Sequence, residues 1–394
     1  MTFLAKWPGP ITIISIAQLF GTSLWFSANG ATVELMTLWH VTAEQIGWLT
    51  SAVQGGFIIG TLFLSLTGIA DRYKASHIFA LCAVFGALLN LMFAMIADGI
   101  WIGILFRFLV GLTLAGIYPL GMKMIVKWAP DRAGWGLSTL VAMLTLGTAL
   151  PHGLRAYAAT YPWYTIVGAS SVLSFIGAIL ILALGEGSHE VGGKPNDHTN
   201  AISGLTLAFA RPAFRRAAFG YFGHMWELYA FWTIVPLLVA RTVTEDSACI
   251  AAVSFVTISA GAAGCIAGGF LSRIHSGLWV AASSLAVSGI CCLVFASFWQ
   301  WMSPVVAFSL LLVWGATVVA DSPQFSAMSA KACPPELVGS ALAIQNAIGF
   351  AITMVSILLV TKTFGVIGPA TTSFLAVGPL LGLIGLLRRV PVQN

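Results

Sequence analysis

The chain carries ionisable side chains inside long apolar stretches, where a charge is costly. The run YFGHMWELYAFWTIVP at 221–236 contains His224 and Glu227, three residues apart. Helical spacing places these two side chains on one face. A carboxyl group in an apolar environment favours its neutral form, so it can gain and lose a proton in a cavity that opens to alternate sides. The pair predicts proton coupling or recognition of a substrate charge, with Glu227 as the leading candidate.

Other polar residues recur at helical spacing. Gln18, Thr22, Trp25 and Asn29 follow one another at +4, +3 and +4, and adding 202 to each gives Gly220, His224, Glu227 and Phe231. Thr317, Asp321 and Gln324 form a third stripe at +4 and +3. Such spacing indicates polar helix faces. The predicted cavity residues are Gln18, Thr22, Trp25, Asn29, Gln54, His224, Glu227, Phe231, Thr317, Asp321 and Gln324.

Structural roles are the alternative for these residues. Glu227 could pin its helix to a neighbour through a hydrogen bond. Asp321 could bind backbone groups freed around Pro323, and His224 could be a neutral packing histidine. At the outer end of a later stretch, His152 and Arg155 either draw an anion into an outer vestibule or, for Arg155, snorkel to water.

The elements that must position these residues are membrane-spanning helices. Hydrophobic residues make up 58% of the chain and charged residues 8%, against about 25% charged in soluble proteins. Roughly 20 apolar residues suffice for one crossing, and backbone groups in hydrocarbon must bond internally, which requires helices. Twelve stretches qualify: 11–31, 46–70, 77–97, 101–126, 134–157, 162–184, 217–239, 247–271, 278–298, 302–330, 338–361 and 367–387. The predicted fold class is an all-α polytopic membrane protein.

Charge placement predicts the orientation. Most of the 18 Lys and Arg residues fall on one side of the predicted helices, and the positive-inside rule puts that side, with both termini, in the cytoplasm. We expect an integral protein of the plasma (bacterial inner) membrane, whose partner is the lipid bilayer and not nucleic acid. The first helix is expected to be retained. The six cysteines show no metal or disulfide spacing, so no metal site is predicted.

An internal repeat divides the chain. Phe20-Gly21 and Phe222-Gly223 stand 202 residues apart, and the spacing from Gly111 to Pro119 recurs from Gly315 to Pro323 at 204. The longest polar stretch lies between the copies. We predict an N-terminal six-helix bundle at 1–184, a cytoplasmic central loop at 185–216 and a C-terminal six-helix bundle at 217–394, related by pseudo-symmetry.

Two motifs resemble signatures of the major facilitator superfamily. GIADRY at 68–73 resembles its cytoplasmic Gly-x-x-x-Asp-Arg motif, and RFLVG at 107–111 resembles its Arg-x-x-x-Gly pattern. The resemblance covers the whole chain and implies two bundles that rock about a central site, lined by the first, fourth, seventh and tenth helices. It implies a buried, proton-linked role for Arg107, whose alternative is a lipid headgroup contact. The gating residues that it implies are Gly68, Asp71, Arg72, Gly269 and Arg273.

No nucleotide-binding glycine loop and no set of catalytic residues is visible, so neither an enzyme nor a cofactor is predicted. We expect a monomeric secondary transporter that moves a small organic solute by alternating access, coupled to protons. Carboxylates in the second half favour proton coupling or a cationic group, whereas Arg107, His152 and Arg155 in the first half favour an anion. The alternatives are a multidrug-type efflux antiporter, because the cavity is aromatic, and a membrane receptor or binding protein that does not transport.

Overall fold

The computed structural model describes residues 9–187, 208–333 and 338–388, and all regular elements within these ranges are helices. Residues 188–207 of the predicted central loop and both chain ends lie outside the described residues. In chain order the helices are α1 (Pro10–Thr22), α2 (Thr32–Leu38), α3 (Ala43–Thr67), α4 (Ile69–Arg72), α5 (Ala75–Ile96), α6 (Ile100–Leu114), α7 (Tyr118–Trp128), α8 (Ala133–Tyr157), α9 (Trp163–Leu184), α10 (Pro212–Thr242), α11 (Ser247–Ile274), α12 (Gly277–Phe298), α13 (Pro304–Thr317), α14 (Ser322–Ala332), α15 (Val338–Ile367), α16 (Thr372–Leu375) and α17 (Val377–Leu387).

The apolar stretches predicted from the sequence coincide with helices. Nine helical segments of the described residues are long and apolar enough to cross a membrane, and one of them, Ala341–Leu387, has 47 residues. That length suffices for two crossings of roughly 20 residues each. Helix α1 is apolar but shorter. Helix α10 has 31 residues and falls outside the nine, because His224, Glu227 and several aromatic residues lower its mean hydropathy.

The first, fourth and tenth predicted stretches, which carry candidate site residues, contain breaks in the α-helix. The first leaves the α-helix after Thr22, turns over residues 23–28 and resumes as α2 after a short 3-10 turn. The fourth and tenth are interrupted at residues 115–117 and 318–321, equivalent positions of the repeat. The seventh, α10, is the counterpart of the first and runs unbroken from Pro212 to Thr242. The repeat therefore reproduces the breaks in the fourth and tenth stretches but not the break in the first.

Two glycines allow equivalent helix pairs to touch. A Cβ atom at Gly111 of α6 would lie 2.1 Å from the carbonyl oxygen of Val53 in α3. A Cβ atom at Gly315 of α13 would lie 2.0 Å from the carbonyl oxygen of Thr257 in α11. Backbone atoms cannot move aside as a flexible side chain can, so only glycine permits these distances. The shared spacing seen in the sequence thus marks two matching backbone contacts.

Two further helix pairs join the first half of the chain to the second. Helix α3 packs along α15, and α8 packs along α11. The side chain of Phe255 lies against Gly153 in the second of these interfaces. Of the predicted cavity residues, Gln18 and Thr22 lie on α1, His224, Glu227 and Phe231 lie on α10, and Gln324 lies on α14.

Candidate functional site

A central cavity lies between the two halves and has a volume of about 80 Å³. Tyr118 and Val141 of the first half line one wall, whereas Tyr221, His224 and Trp232 of α10 line the opposite wall. The four polar rings among these residues share a small space with largely apolar neighbours. Such a mixture, apolar surface with a few converging polar groups, is typical of a ligand site.

His224 lines this cavity and forms a buried pair with Asp321, which is not among the lining residues. Nδ1 of His224 lies 2.8 Å from Oδ1 of Asp321, and each residue is 1% exposed. Continuous α10 supplies the histidine, and the break before α14 supplies the aspartate. The other ring nitrogen, Nε2, has no hydrogen-bond partner among the described residues. Asp321 thus lies at ion-pair distance from one ring nitrogen, and the other is left for a proton or a bound molecule.

Glu227 is turned into the second half of the chain. Its Oε1 accepts hydrogen bonds from Nε1 of Trp314 at 2.7 Å and from Sγ of Cys292 at 3.2 Å. Its Oε2 accepts a hydrogen bond from the hydroxyl of Ser288 at 2.8 Å. Phe231 stacks on the same Trp314 ring at 4.1 Å between centroids. Glu227 and Phe231 therefore contact α12 and α13 and do not line the central cavity.

Trp25 faces the opposite half instead. Its ring stacks on Tyr229 and on Phe350, with 5.6 Å between centroids in each case, and its Nε1 donates to Oε1 of Gln54 at 3.2 Å. We call the surrounding set of rings the aromatic cluster: Trp25, Phe26, Phe57, Tyr229, Trp232 and Phe350. The cluster joins the two halves beside the central cavity, since three of its rings also line that cavity.

Two of the remaining residues of the first stripe, Thr22 and Asn29, have hydrogen-bond partners within the first half. The Thr22 hydroxyl donates to the carbonyl of Gln18 at 2.8 Å, and Nδ2 of Asn29 donates to the hydroxyl of Thr50 at 2.9 Å. The amide of Gln18 is buried without a partner among the described residues. Of this stripe, Asn29 lines a separate, outer cavity.

An inner cavity of about 570 Å³ opens at the end of the molecule that is rich in basic residues. Lys123, Gly269, Arg273 and Gln324 are among its lining residues. Tyr118 and Val141 line both this cavity and the central one. Thr317 lies half-buried on α13, where its hydroxyl donates to the carbonyl of Val313. Of these two predicted residues, Gln324 lines the inner cavity and Thr317 does not.

The predicted gating residues lie at the same end. Gly68 ends α3 with a φ of +64°, a left-handed conformation that favours glycine. Arg72 is exposed, and the side chain of Asp71 lies outside the described part of the structure. In the second copy, Gly269 faces Ser138 of α8 across the interface between the halves, and the guanidinium of Arg273 lies over the ring of Phe270.

Arg107 is buried inside the first half. Its Nη1 donates to Oγ of Ser27 and to Oδ1 of Asn90, at 2.9 Å each. Its Nη2 donates to the carbonyls of Leu24 and Trp25, at 2.9 and 2.5 Å. These carbonyls belong to the turn that interrupts the first stretch. Because Arg107 is 1% exposed, its guanidinium binds this turn and not a lipid headgroup.

The outer cavity contains the two residues predicted for an outer vestibule and one that the sequence did not indicate. Its volume is about 270 Å³, and His152, Arg155 and Glu34 are among its lining residues. Nη2 of Arg155 lies 2.9 Å from Oε2 of Glu34. Glu34 was missed because it follows the first apolar stretch. The only sequence signal for it is a carboxylate close to the outer end of that stretch.

Helical membrane spans, cavities toward two ends and a buried ionisable pair between them define the class of solute carriers. The chain belongs to the Major Facilitator Superfamily, whose family model matches residues 14–357. Membership confirms the predicted fold class, with twelve helices in two pseudo-symmetric six-helix bundles, and it confirms solute transport in place of an enzyme activity.

Solved structures show the same fold. The chain is 13% identical to FucP, a superfamily transporter in the outward conformation, with a TM-score of 0.66 over 96% of this chain and 97% of that one. It is 15% identical to a bacterial homologue of the human lysosomal transporter Spinster in an inward-facing, unoccupied conformation. That comparison has a TM-score of 0.64 and covers 96% and 94% of the two chains.

One curated relative is similar in sequence over a shorter segment. The niacin transporter NiaP of Acinetobacter baylyi is 29% identical over 124 residues. This segment covers 29% of the present chain and 28% of NiaP. The similarity is consistent with solute transport, and the solute named for NiaP belongs to that protein.

Proposed function

We propose that this protein is a proton-coupled carrier of a small organic solute and that His224 and Asp321 form its proton-binding site. The observation that carries the proposal is the buried 2.8 Å contact between Nδ1 of His224, which lines the central cavity, and Oδ1 of Asp321. The same geometry leaves Nε2 of His224 without a protein partner.

Proton loading changes the charge of this pair. With a proton on Nε2 the imidazolium and the carboxylate sum to zero, whereas without it the pair carries one negative charge. An uncompensated charge at the centre of a bilayer costs about 3 kcal/mol on insertion scales. The protonated pair therefore costs less free energy to bury away from water when the two halves close around it. This difference in charge gives a proton, or a cationic group of the solute, the means to bias the conformational equilibrium.

The cavities support alternating access. Tyr118 and Val141 line both the central and the inner cavity, so the two cavities adjoin at these residues. The aromatic cluster stands between the central and the outer cavity, since Trp232 lines the former and Phe26 packs against its ring near the outer turn. In the proposed cycle, this conformation exposes the site to the cytoplasm, and separation of the cluster exposes it to the outside.

Glu227 and Arg107 receive a different role in this proposal. Each is surrounded by neutral partners within one half, and neither lines the central cavity. We assign them to hold the packing of the second and first half, respectively. The predicted division at 185–216, the monomeric state and the location in a bacterial inner membrane with cytoplasmic termini remain parts of the proposal. The basic residues Lys123 and Arg273 beside the inner cavity support this orientation.

Proton flux in liposomes tests the proposal. Purified wild-type protein is reconstituted with an internal pH indicator, and pools of small organic acids, amines and amides are added outside. We expect at least one pool to evoke solute uptake together with a change of internal pH. His224→Gln and Asp321→Asn should reduce the proton flux to that of empty liposomes.

Glu227→Gln is the matched control, because it removes a carboxylate of the same helix outside the cavity. It should keep coupled flux while remaining monodisperse. If proton flux survives in His224→Gln but disappears in Glu227→Gln, then Glu227 is the proton-binding site. Solute uptake without proton movement in the wild type would make the protein a facilitator and refute coupling.

A further inference from the structure

The outer cavity has the features of a separate binding site. We propose that it binds the carboxylate group of a small organic anion through Arg155 and His152 and that it is an outer binding site on the transport route. The role of this site in transport rests on the proposed function, but anion binding itself can be measured without transport. It names a substrate class, an organic carboxylate, that the central pair alone does not specify.

Arg155 supplies the positive charge. Its Nη2 contacts Glu34 at 2.9 Å, and its Nη1 donates to the carbonyl of Tyr161 at 2.7 Å. A guanidinium has five N–H donors in a planar fork, so these contacts occupy part of its capacity. Glu34 is itself fixed, since its Oε1 accepts a hydrogen bond from the backbone N–H of Trp163 at 3.1 Å. Arg155 is therefore held at the cavity wall in a defined orientation.

His152 supplies a second polar group. It lies one helical turn from Arg155 on α8, lines the cavity and is 1% exposed. Its Nε2 has no hydrogen-bond partner among the described residues. A buried polar atom without a partner costs free energy that a bound group can recover. A carboxylate that spans Arg155 and His152 would accept hydrogen bonds from both.

The size and surroundings of the cavity limit the ligand. Its volume of about 270 Å³ is slightly below the range of about 300–1,000 Å³ for drug-sized ligands. Both halves of the chain contribute, with Pro236 and Ile250 forming apolar wall. A carboxylate on one small ring or a short apolar chain fits this combination. Ser247 places the N-terminus of α11 at the same wall, although Asp246 caps that end with its own negative charge.

Glu34 competes with the proposed ligand. Its carboxylate already occupies one side of the Arg155 guanidinium, so an incoming anion meets a neutralised cation. Replacing Glu34 with glutamine should leave Arg155 at full positive charge and keep a side chain of the same shape. The site therefore predicts that loss of this carboxylate strengthens anion binding, an effect that a purely structural ion pair would not produce.

The test is direct binding to the full-length protein in lipid nanodiscs by calorimetry. The probes are nicotinate and benzoate, and the matched uncharged controls are nicotinamide and benzamide. We expect saturable binding of at least one carboxylate and at least tenfold weaker binding of its amide. Arg155→Gln should abolish carboxylate binding, Arg155→Lys should weaken it, His152→Phe should weaken it, and Glu34→Gln should strengthen it about tenfold.

His224→Gln separates this inference from the proposed function. It should leave carboxylate binding at the outer cavity intact even though it abolishes proton coupling. Binding that is lost in His224→Gln and kept in a folded Arg155→Gln variant would place the anion at the central cavity and overturn the outer site. Equal binding of amides and acids, an unchanged affinity in Glu34→Gln, or no binding of either carboxylate would also overturn it.

Discussion

Each half of the molecule buries a charged side chain among neutral partners, and the two charges are opposite. In the first half, Arg107 donates to Ser27, Asn90 and two backbone carbonyls. In the second half, Glu227 accepts from Ser288, Cys292 and Trp314. The halves share helix order and the matching glycine contacts of Gly111 and Gly315. The two halves therefore share these backbone contacts but differ in the sign of the buried charge.

The continuity of one helix accounts for the difference. The first stretch turns at residues 23–28, which leaves carbonyls that an intact helix would have paired internally. Arginine has only donors, so it satisfies those carbonyls. Its counterpart α10 is unbroken and offers no free carbonyls at the equivalent place. There, a carboxylate is satisfied by side-chain donors from neighbouring helices instead.

The largest effect should come from removing the arginine. Arg107→Gln removes four hydrogen bonds and leaves the buried carbonyl of Trp25 without a donor, at about 1–3 kcal/mol for such a group, so we expect a loss of about 3 kcal/mol in the free energy of unfolding. Glu227→Gln keeps an oxygen for the Trp314 N–H and should lose only about 1 kcal/mol. Thermal unfolding of both variants in the same detergent compares them. Equal losses would mean that the break in the first stretch does not depend on Arg107.

An intermediate effect is expected at Trp25, which the repeat equates with Glu227. Trp25→Phe keeps one ring in the aromatic cluster but loses the hydrogen bond to Gln54 and part of the stacking on Tyr229 and Phe350. The expected loss of stability is about 1–2 kcal/mol. Because the cluster separates the central and outer cavities, proton leak without solute should rise in liposomes. Unchanged leak would show that the cluster does not close the outer route.

Much of the architecture was predictable because the bilayer imposes it. A span needs roughly 20 apolar residues in a helix, so the helical stretches were visible in the sequence. The approach of His224 to Asp321 also followed the polar stripes. The orientation of Glu227 did not, because adding 202 to Trp25 assumes an unbroken first helix. Two carbonyls of the turn at 23–28 accept hydrogen bonds from Arg107, about 80 residues away in sequence, and local pattern cannot reveal such a contact.

The smallest effect concerns the ends of the two halves at the basic side. After α9, Glu186 accepts hydrogen bonds from Nζ of Lys127 at 2.7 Å and from the N–H of Ser76 at 3.0 Å. In the last turn of α17, the carbonyl of Leu386 accepts a hydrogen bond from Nε of Arg216 on α10 at 2.8 Å, with no carboxylate in this contact. Only the contact of Glu186 should therefore weaken as the pH falls.

Burial raises the pKa of Glu186, but the hydrogen bonds from Lys127 and Ser76 outweigh it and bring the pKa below its ordinary value of 4.5. A carboxyl with a lowered folded-state pKa stabilises the protein above its unfolded pKa and loses that contribution as the pH falls through the folded pKa. Glu186→Gln should cost about 0.5–1 kcal/mol at pH 7. The gap to wild type should close as the pH falls below 4.5, as followed by thermal unfolding across pH. A gap that persists in acid would contradict the contact.

The aromatic cluster has a consequence for the energetics of the cycle. Its six rings meet across the halves through stacking, and the hydrogen bond from Trp25 to Gln54 stays within the first half. Opening the outer route must then expose apolar surface to water, so the open conformation should have the higher heat capacity. The balance between the two conformations should curve with temperature and respond little to ionic strength, as expected for a closure made of rings without ion pairs.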